Sequence, residues 1–174
     1  MFWTMKIKHL TAVVFVSLVL GISCNSTKMI MDTATDNHTL NWQTLSDTTK
    51  YSATYIQLNF DQFPMEETVG NDILDFQDGK GGKKMKLTNQ QEFNLYKLVT
   101  DSTHFSEGDC GTFHLNAGFI IYQGEKIVGK INVGCGYGQW NFFPHNNQSK
   151  WGALNEKGFR AMEKLLDEIN LTNK

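Results

Sequence analysis

The segment 113–133 constrains the fold of this chain more than any other stretch. Apolar side chains recur at every second position on both sides of a polar turn, which is typical of two half-buried strands joined as a β-hairpin. A three-residue loop would pair Ile121 with Ile127 and Leu115 with Val133, apolar against apolar on one face. A two-residue loop would send half of these side chains to the other face, so we predict the three-residue loop.

Further strands and two helices are predicted around this hairpin. The strands are expected over 50–60, 68–76, 83–87 and 139–143. A helix is expected at about 88–101 because Thr88 and Gln91 have capping-box spacing, and another at about 155–169 behind a capping Asn155. Strands joined by hairpins pair antiparallel, so we predict an α+β fold in which an antiparallel sheet carries both helices.

Each predicted helix has an apolar stripe at helical spacing. The stripe of the first helix comprises Phe93, Tyr96, Leu98 and Val99. That of the second comprises Phe159, Met162, Leu165, Leu166 and Ile169. A stripe of this kind normally packs on a core, so we expect both to face the sheet.

Residues 1–23 have the form of a lipoprotein signal peptide that ends before Cys24. Lys6 and Lys8 precede an apolar run at 10–20, which as a helix would reach roughly 16 Å, against about 30 Å for a bilayer core. The small residues before Cys24 resemble a lipobox, although Gly21 stands where leucine is usual. The resemblance implies cleavage before Cys24 and attachment of acyl chains such as palmitate. The alternative is an ordinary signal peptide followed by an incidental cysteine.

A polar segment separates the predicted signal from the folded part. Residues 24–49 are rich in Ser, Thr, Asn and Asp and are predicted to be a flexible tether, although the folded part is expected to start near Leu40 and Trp42. A single α+β domain is then expected over 50–174. Because Asn25 follows Cys24 where an Asp would signal inner-membrane retention in enteric bacteria, the outer membrane of a Gram-negative cell is the expected location.

Charge and motif content exclude several classes of function. The net charge is −2, with no concentrated basic face, so we expect no nucleic-acid partner. The Gly-x-Ser-x-Gly, His-Glu-x-x-His and EF-hand patterns do not occur in the sequence. We therefore predict no catalytic residue, no cofactor and no metal site, and a binding or interaction role rather than an enzymatic one.

Cys110 and Cys135 bracket the hairpin at its open end. Once Cys24 is lipidated these two remain as an even pair, and an exported protein meets an oxidising compartment, so we predict a disulfide. The alternatives are a metal site or redox chemistry that also uses His114, or two unpaired thiols. These alternatives define the competing hypothesis of a metal-binding, redox or other enzymatic envelope protein.

Aromatic residues cluster around the polar stretch 144–150. They are Trp140, Phe142, Phe143 and Trp151. Such a cluster either forms an exposed platform for a glycan or an envelope protein, or covers the sheet edge and the foot of the last helix; we favour the covering role. As candidate binding residues we name His114, Trp140, Phe142 and Trp151.

A recurrent pattern around the hairpin resembles a known group of proteins. It comprises Cys110-x3-His114, the strand Gly118-Phe119-Ile120-Ile121-Tyr122, Lys126-Ile127-Val128, Ile131-x-Val133-x-Cys135, and Leu154-x3-Gly158-Phe159. It is similar to small exported bacterial proteins, many of them Bacteroidetes lipoproteins. Thr112 and Phe113 replace a frequent Pro-Arg, and Gly138 replaces a frequent second cysteine. The resemblance implies the fold and the location and carries no activity.

Overall fold

The computed structural model describes residues 40–45, 49–79 and 81–173. Its strands are β1 Ser52–Leu58, β2 Gly82–Lys86, β3 Phe105–Ser106, β4 Leu115–Gln123, β5 Lys126–Gly134, β6 Gln139–Phe143 and β7 Ala153–Leu154. Its α-helices are α1 Asn89–Thr100 and α2 Glu156–Thr172. The predicted signal peptide, Cys24 and the tether up to residue 39 lie outside the described residues. Within these residues, no helix is long and apolar enough to cross a membrane.

Within the described residues, seven strands form one antiparallel sheet in the order β2-β1-β4-β5-β6-β7-β3. Both helices pack on one face, where their apolar residues join the larger core cluster. The predicted α+β fold, an antiparallel sheet carrying two helices, is confirmed. The long hairpin β4–β5 lies at the centre of this sheet, as the alternation in 113–133 requires.

The turn of the central hairpin differs from the three-residue loop that we predicted. Gln123 pairs with Lys126, which leaves a two-residue loop. Gly124 is the first of these two residues and has φ +62°. A glycine in this conformation is what a two-residue turn of type II′ requires, and its twist matches that of the flanking strands. The expected three-residue loop is therefore wrong.

Two irregularities then reset the register along the hairpin. Ile121 does not face Ile127, and Leu115 faces Gly134 rather than Val133, because the pairing shifts once near each end of β4. A bulge of one residue reverses the side on which later side chains point. Leu115 consequently leaves the helical face and joins a smaller core cluster on the opposite face.

The opposite face is covered by the segment between β1 and β2. We expected a strand over 68–76, but the structure has two short 3-10 helices at Met65–Thr68 and Ile73–Phe76. The Asp72 side chain accepts from Leu74 N–H, and the Asp75 side chain accepts from Asp72 N–H in return. These local caps favour a helical turn over a strand in this stretch.

The two α-helices begin where their caps predict. Thr88 and Gln91 exchange capping hydrogen bonds at the start of α1, and Asn155 accepts from Gly158 N–H at the start of α2. The apolar faces differ at their margins from the predicted stripes. Phe93 is exposed on α1, and on α2 Phe159 is 36% exposed.

The start of α2 packs through a glycine rather than through Phe159. A Cβ on Gly158 would overlap the carbonyl oxygen of His104, so only glycine allows this close approach. The buried row of α2 is therefore Gly158, Met162, Leu165 and Ile169, with Leu166 partly buried.

The residues ahead of β1 belong to the core. Leu40, Trp42 and Leu45 are buried in the larger cluster, and the Trp42 indole N–H donates to the Pro144 carbonyl at 2.6 Å. The packed domain thus includes residues 40–45, ahead of the strand expected from residue 50. The sequence shows few apolar residues here, and long-range packing decides their role.

Candidate functional site

Cys110 and Cys135 form a disulfide with their Cα atoms 6.2 Å apart, as predicted. The two sulfurs are bonded to each other, so neither is available as a thiolate ligand. His114 is close to Cys135 through its backbone, whose carbonyl accepts from Cys135 N–H, but its Nδ1 lies 3.2 Å from the Met65 carbonyl oxygen. Among the described residues no group of three or more His, Cys, Asp or Glu is placed to hold a metal ion.

Two of the aromatic candidates for binding are core residues. Trp140 and Phe142 are buried on the helical face of β6. The Trp140 indole N–H donates to the Tyr137 carbonyl at 2.9 Å, and its ring lies 5.7 Å from that of Phe119. Both rings are buried, which fits the covering role that we favoured for the cluster, and neither contributes an exposed ring face to a binding surface.

The other two aromatic residues have the opposite environment. Trp151 is 65% exposed and Phe143 is 47% exposed. Both line one open hollow of about 340 Å³, together with Asn141, His145 and Lys150. Because side chains alternate along a strand, Phe143 and Asn141 face away from the core that holds Phe142. The structure therefore assigns the exposed part of the cluster to Trp151 and Phe143.

Buried polar side chains hold the loop that carries Trp151 in place. Asn146 Nδ2 donates to the Val99 carbonyl at 2.8 Å, and Ser149 Oγ donates to the Asn146 carbonyl at 2.8 Å. Gln139 Nε2 donates to the backbone carbonyl of Trp151 itself. Since each of these three polar side chains is buried and partnered, they fix the loop instead of leaving it free to collapse.

Gly152 sets the close approach of this loop to β6. It has φ +82°, and a Cβ there would overlap the Trp140 carbonyl oxygen. Trp140 N–H also donates to the Gly152 carbonyl at 2.9 Å. The backbone at Trp151 and Gly152 is thus held by hydrogen bonds from Gln139 and Trp140, while the Trp151 side chain is exposed.

A second hollow, of about 440 Å³, adjoins the first and shares His145 with it. Its polar lining is uncharged and comes mainly from Asn41, Gln43 and Asn147. No carboxylate is among the described residues that line either hollow. We call the two hollows together the aromatic–amide surface.

A cation lies against one ring of this surface. Lys130 Nζ is 4.6 Å from the centre of the Phe143 ring and also pairs with Asp72 from the covering segment. This contact holds the Phe143 ring in place and leaves it partly exposed.

The sequence contained only part of this surface. Trp151 and the polar stretch 144–150 were evident, but Asn41 and Gln43 fell within the predicted tether, and Phe143 was not separated from Phe142. The alternation of side chains along 140–143 distinguishes the two phenylalanines, because Trp140 and Phe142 share one face of the strand and Phe143 lies on the other.

Comparison with known proteins gives no match for this chain among family models, curated proteins or solved structures.

Proposed function

We propose that this protein is a non-enzymatic envelope module, anchored by lipid on Cys24, that binds a neutral glycan on its aromatic–amide surface. The observation that carries the proposal is the exposure of Trp151 on its pinned loop and of Phe143 at the end of β6, beside the amide side chains of this surface. Large exposed apolar side chains rimmed by polar groups mark interaction sites on soluble domains. The side chains that hold the loop, those of Gln139, Asn146 and Ser149, form their hydrogen bonds within the protein. The exposed rings of Trp151 and Phe143 are therefore not needed to hold the loop in place.

The chemistry of the surface suits sugars. Aromatic rings offer flat apolar faces that suit the C–H face of a pyranose, and amide side chains both donate and accept hydrogen bonds, as sugar hydroxyls do. The described lining residues carry the amides of Asn41, Gln43 and Asn147, the ammonium group of Lys150 and no carboxylate. A hydroxyl-rich ligand matches this composition, because sugar hydroxyls accept from amide and ammonium donors alike.

The competing hypothesis of metal, redox or other enzymatic chemistry finds no favouring observation. It needs Cys110, His114 and Cys135 to converge on one ligand or substrate. Instead the cysteines are bonded to each other, and the His114 ring is directed to the Met65 carbonyl.

The glycan proposal is tested with a glycan array probed by the mature protein carrying Cys24→Ser. Trp151→Ala should weaken binding to the recognised glycan at least tenfold, about 1.4 kcal/mol. Phe93→Ala removes an exposed aromatic ring from α1, away from the surface, and should leave binding unchanged. An array without binding, or equal binding by Trp151→Ala, would overturn the proposal and leave an envelope protein as the partner to search for.

The anchor is tested separately by fractionation of cells that express the full chain. Cys24→Ser should move the protein out of the membrane fraction and abolish labelling by a fatty-acid probe. Membrane fractionation that does not change in the variant would refute the lipoprotein assignment and would not affect the glycan test.

A further inference from the structure

A groove of about 320 Å³ runs between α1 and α2 and shares none of its described lining residues with the aromatic–amide surface. The helices are antiparallel, because Gln91 at the start of α1 donates to the Glu168 carbonyl near the end of α2, while Lys157 at the start of α2 pairs with Asp101 after α1. The groove is lined by Asn94, Lys97, Leu98, Asp101, His104, Lys157, Ala161, Lys164 and Leu165.

Helical spacing explains why these side chains share one groove. Lys157, Ala161 and Lys164 lie four and three residues apart, which places them on one face of α2. Ala161 is the smallest of the three and leaves room between the two lysines. Lys97 faces this row from α1. The two rims thus carry three ammonium groups along about 10 Å of helix.

The carboxylate that lines the groove is already occupied. Asp101 accepts from Thr103 N–H at 2.9 Å, from the Thr103 hydroxyl at 2.6 Å and from Lys157 Nζ at 3.1 Å. These donors, the Thr103 hydroxyl first, hold the pKa of Asp101 well below its usual range. Asp101 therefore stays ionised and pairs with Lys157, and its carboxylate also lies 3.7 Å from His104 Nε2.

Two of the lysines, Lys97 and Lys164, have no direct ion pair among the residues that the structure describes. Glu168 lies one turn beyond Lys164, and its carboxylate, which accepts from the neutral amide of Asn94 at 2.7 Å, is a second acidic group at the edge of the groove. Three lysines against these two carboxylates leave an excess of positive charge in a domain whose chain is net negative.

The base of the groove is apolar with one buried imidazole. Leu98 and Leu165 form it, and His104 is buried beside them with its Nδ1 3.1 Å from the Leu98 carbonyl oxygen. A bare inorganic ion would leave the apolar part, with Ala161, in contact with water. A ligand with an apolar body and an anionic end would cover both parts.

We propose that the α1–α2 groove binds a small organic anion, whose phosphate or carboxylate lies between Lys97 and Lys164 and whose apolar body lies against Ala161. This site is separate from the glycan surface, so either proposal can fail without the other. Phenyl phosphate contains both features and serves as the probe, with inorganic phosphate as the comparison.

Binding is measured by calorimetry and NMR titration at low ionic strength with the mature protein carrying Cys24→Ser. Phenyl phosphate should bind at least tenfold more tightly than inorganic phosphate. Lys97→Gln combined with Lys164→Gln should weaken its binding at least tenfold, and Ala161→Leu should do the same by filling the groove at constant charge. Lys84→Gln on β2 removes one charge elsewhere and should change nothing.

Three results would overturn the proposal. The first is no binding of phenyl phosphate at millimolar concentration. The second is equal affinity for the two phosphates, which would mean attraction of charge alone. The third is a loss of affinity in Lys84→Gln as large as in the double variant. Thermal unfolding of each variant confirms that the compared proteins are folded, and the double variant retains every apolar contact of the groove even if Ala161→Leu disturbs packing.

Discussion

Glu92 is a carboxyl group that the fold has removed from water. It is 3% exposed, and its Oε1 accepts from Ala53 N–H at 2.8 Å. Burial raises its pKa, while the Ala53 N–H and the positive charge of Lys86 oppose the rise. The folded state therefore binds a proton at Glu92 more tightly than the unfolded chain does, where a glutamate titrates near about 4.3.

This difference makes the free energy of unfolding depend on pH. The contribution of Glu92 is fully present below the unfolded pKa and is lost as the pH rises through the raised native pKa. Glu92→Gln keeps an oxygen that accepts from Ala53 N–H, but the glutamine side chain cannot ionise. The decrease in the free energy of unfolding with rising pH should therefore disappear in this variant. Urea unfolding at a series of pH values measures that decrease. Glu163→Gln, an exposed change on α2, is the control, and a Glu92→Gln curve parallel to wild type would contradict the expectation.

Gly152 and Gly70 have nearly the same backbone angle in different surroundings. Their φ values are +82° and +78°, so alanine at either site has a similar backbone penalty. Only at Gly152 would the new Cβ overlap another atom, the Trp140 carbonyl oxygen, whereas at Gly70 the space is empty. Gly152→Ala should lower the free energy of unfolding by about 2 kcal/mol more than Gly70→Ala does, as overpacking costs. Equal losses in denaturant unfolding would show that the loop adjusts.

At the scale of secondary-structure elements, α2 has one packed row and an exposed remainder. Leu165 lies in the middle of the row and is fully buried, whereas Phe159 lies at its margin and is 36% exposed. The larger side chain is thus the less important one for packing. Burial, rather than hydrophobicity in the sequence, should decide the cost of truncation.

Leu165→Ala should lower the free energy of unfolding by about 2–5 kcal/mol, the range for truncation of a buried leucine. Phe159→Ala on the same helix should cost clearly less, about 1 kcal/mol or below. Chemical unfolding of both variants gives the comparison. A larger effect at Phe159 would mean that the start of α2 packs through that ring and not through Gly158.

The sequence predicts elements best where a cap and a periodic stripe agree. Thr88 with Gln91 and Asn155 located both helices, but a stripe does not define its own margins, so Phe93 and Phe159 were placed on the wrong side. The strand expected over 68–76 failed because Asp72 and Asp75 cap each other locally, a pairing that alternation of apolar residues cannot reveal. Loop lengths of two and three residues differ by one position, which the apolar pattern of the hairpin does not resolve once bulges are allowed.

The candidate site was predictable in parts for similar reasons. The disulfide followed from cysteine count and topology. Which aromatic side chains are exposed depends instead on what covers each face of the sheet, and the covering segments come from distant positions, such as Trp42 against Phe142. The amides of Asn41 and Gln43 join the surface only because the chain ahead of β1 folds back on the loop after β6.

At the scale of the whole molecule, the outer edge of β2 is a free sheet edge within the described residues. An unpaired edge offers backbone hydrogen-bonding groups to another copy, and charged side chains discourage that pairing. Lys83, Lys84 and Lys86 are exposed along this short strand. Their repulsion gives the domain a means of avoiding edge-to-edge association.

Replacing Lys84 and Lys86 by valine should therefore promote self-association. Sedimentation velocity at increasing protein concentration should show dimers or larger species for this double variant. Arg160→Val with Lys164→Val removes the same charge from the exposed side of α2 and should stay monomeric at the same concentrations. Association of both variants alike would point to net charge and not to the strand edge.

The burial of Leu40 determines how tension along the chain would act on the domain. Leu40 packs over Gly129 in the middle of β5, where any Cβ would collide with it, and Trp42 follows with its hydrogen bond to Pro144. A force applied ahead of Leu40 reaches the centre of the sheet before either edge strand. Such a force has to extract Leu40 and the Trp42 indole together before a strand can separate from the sheet, so the start of the described domain is a point of mechanical resistance.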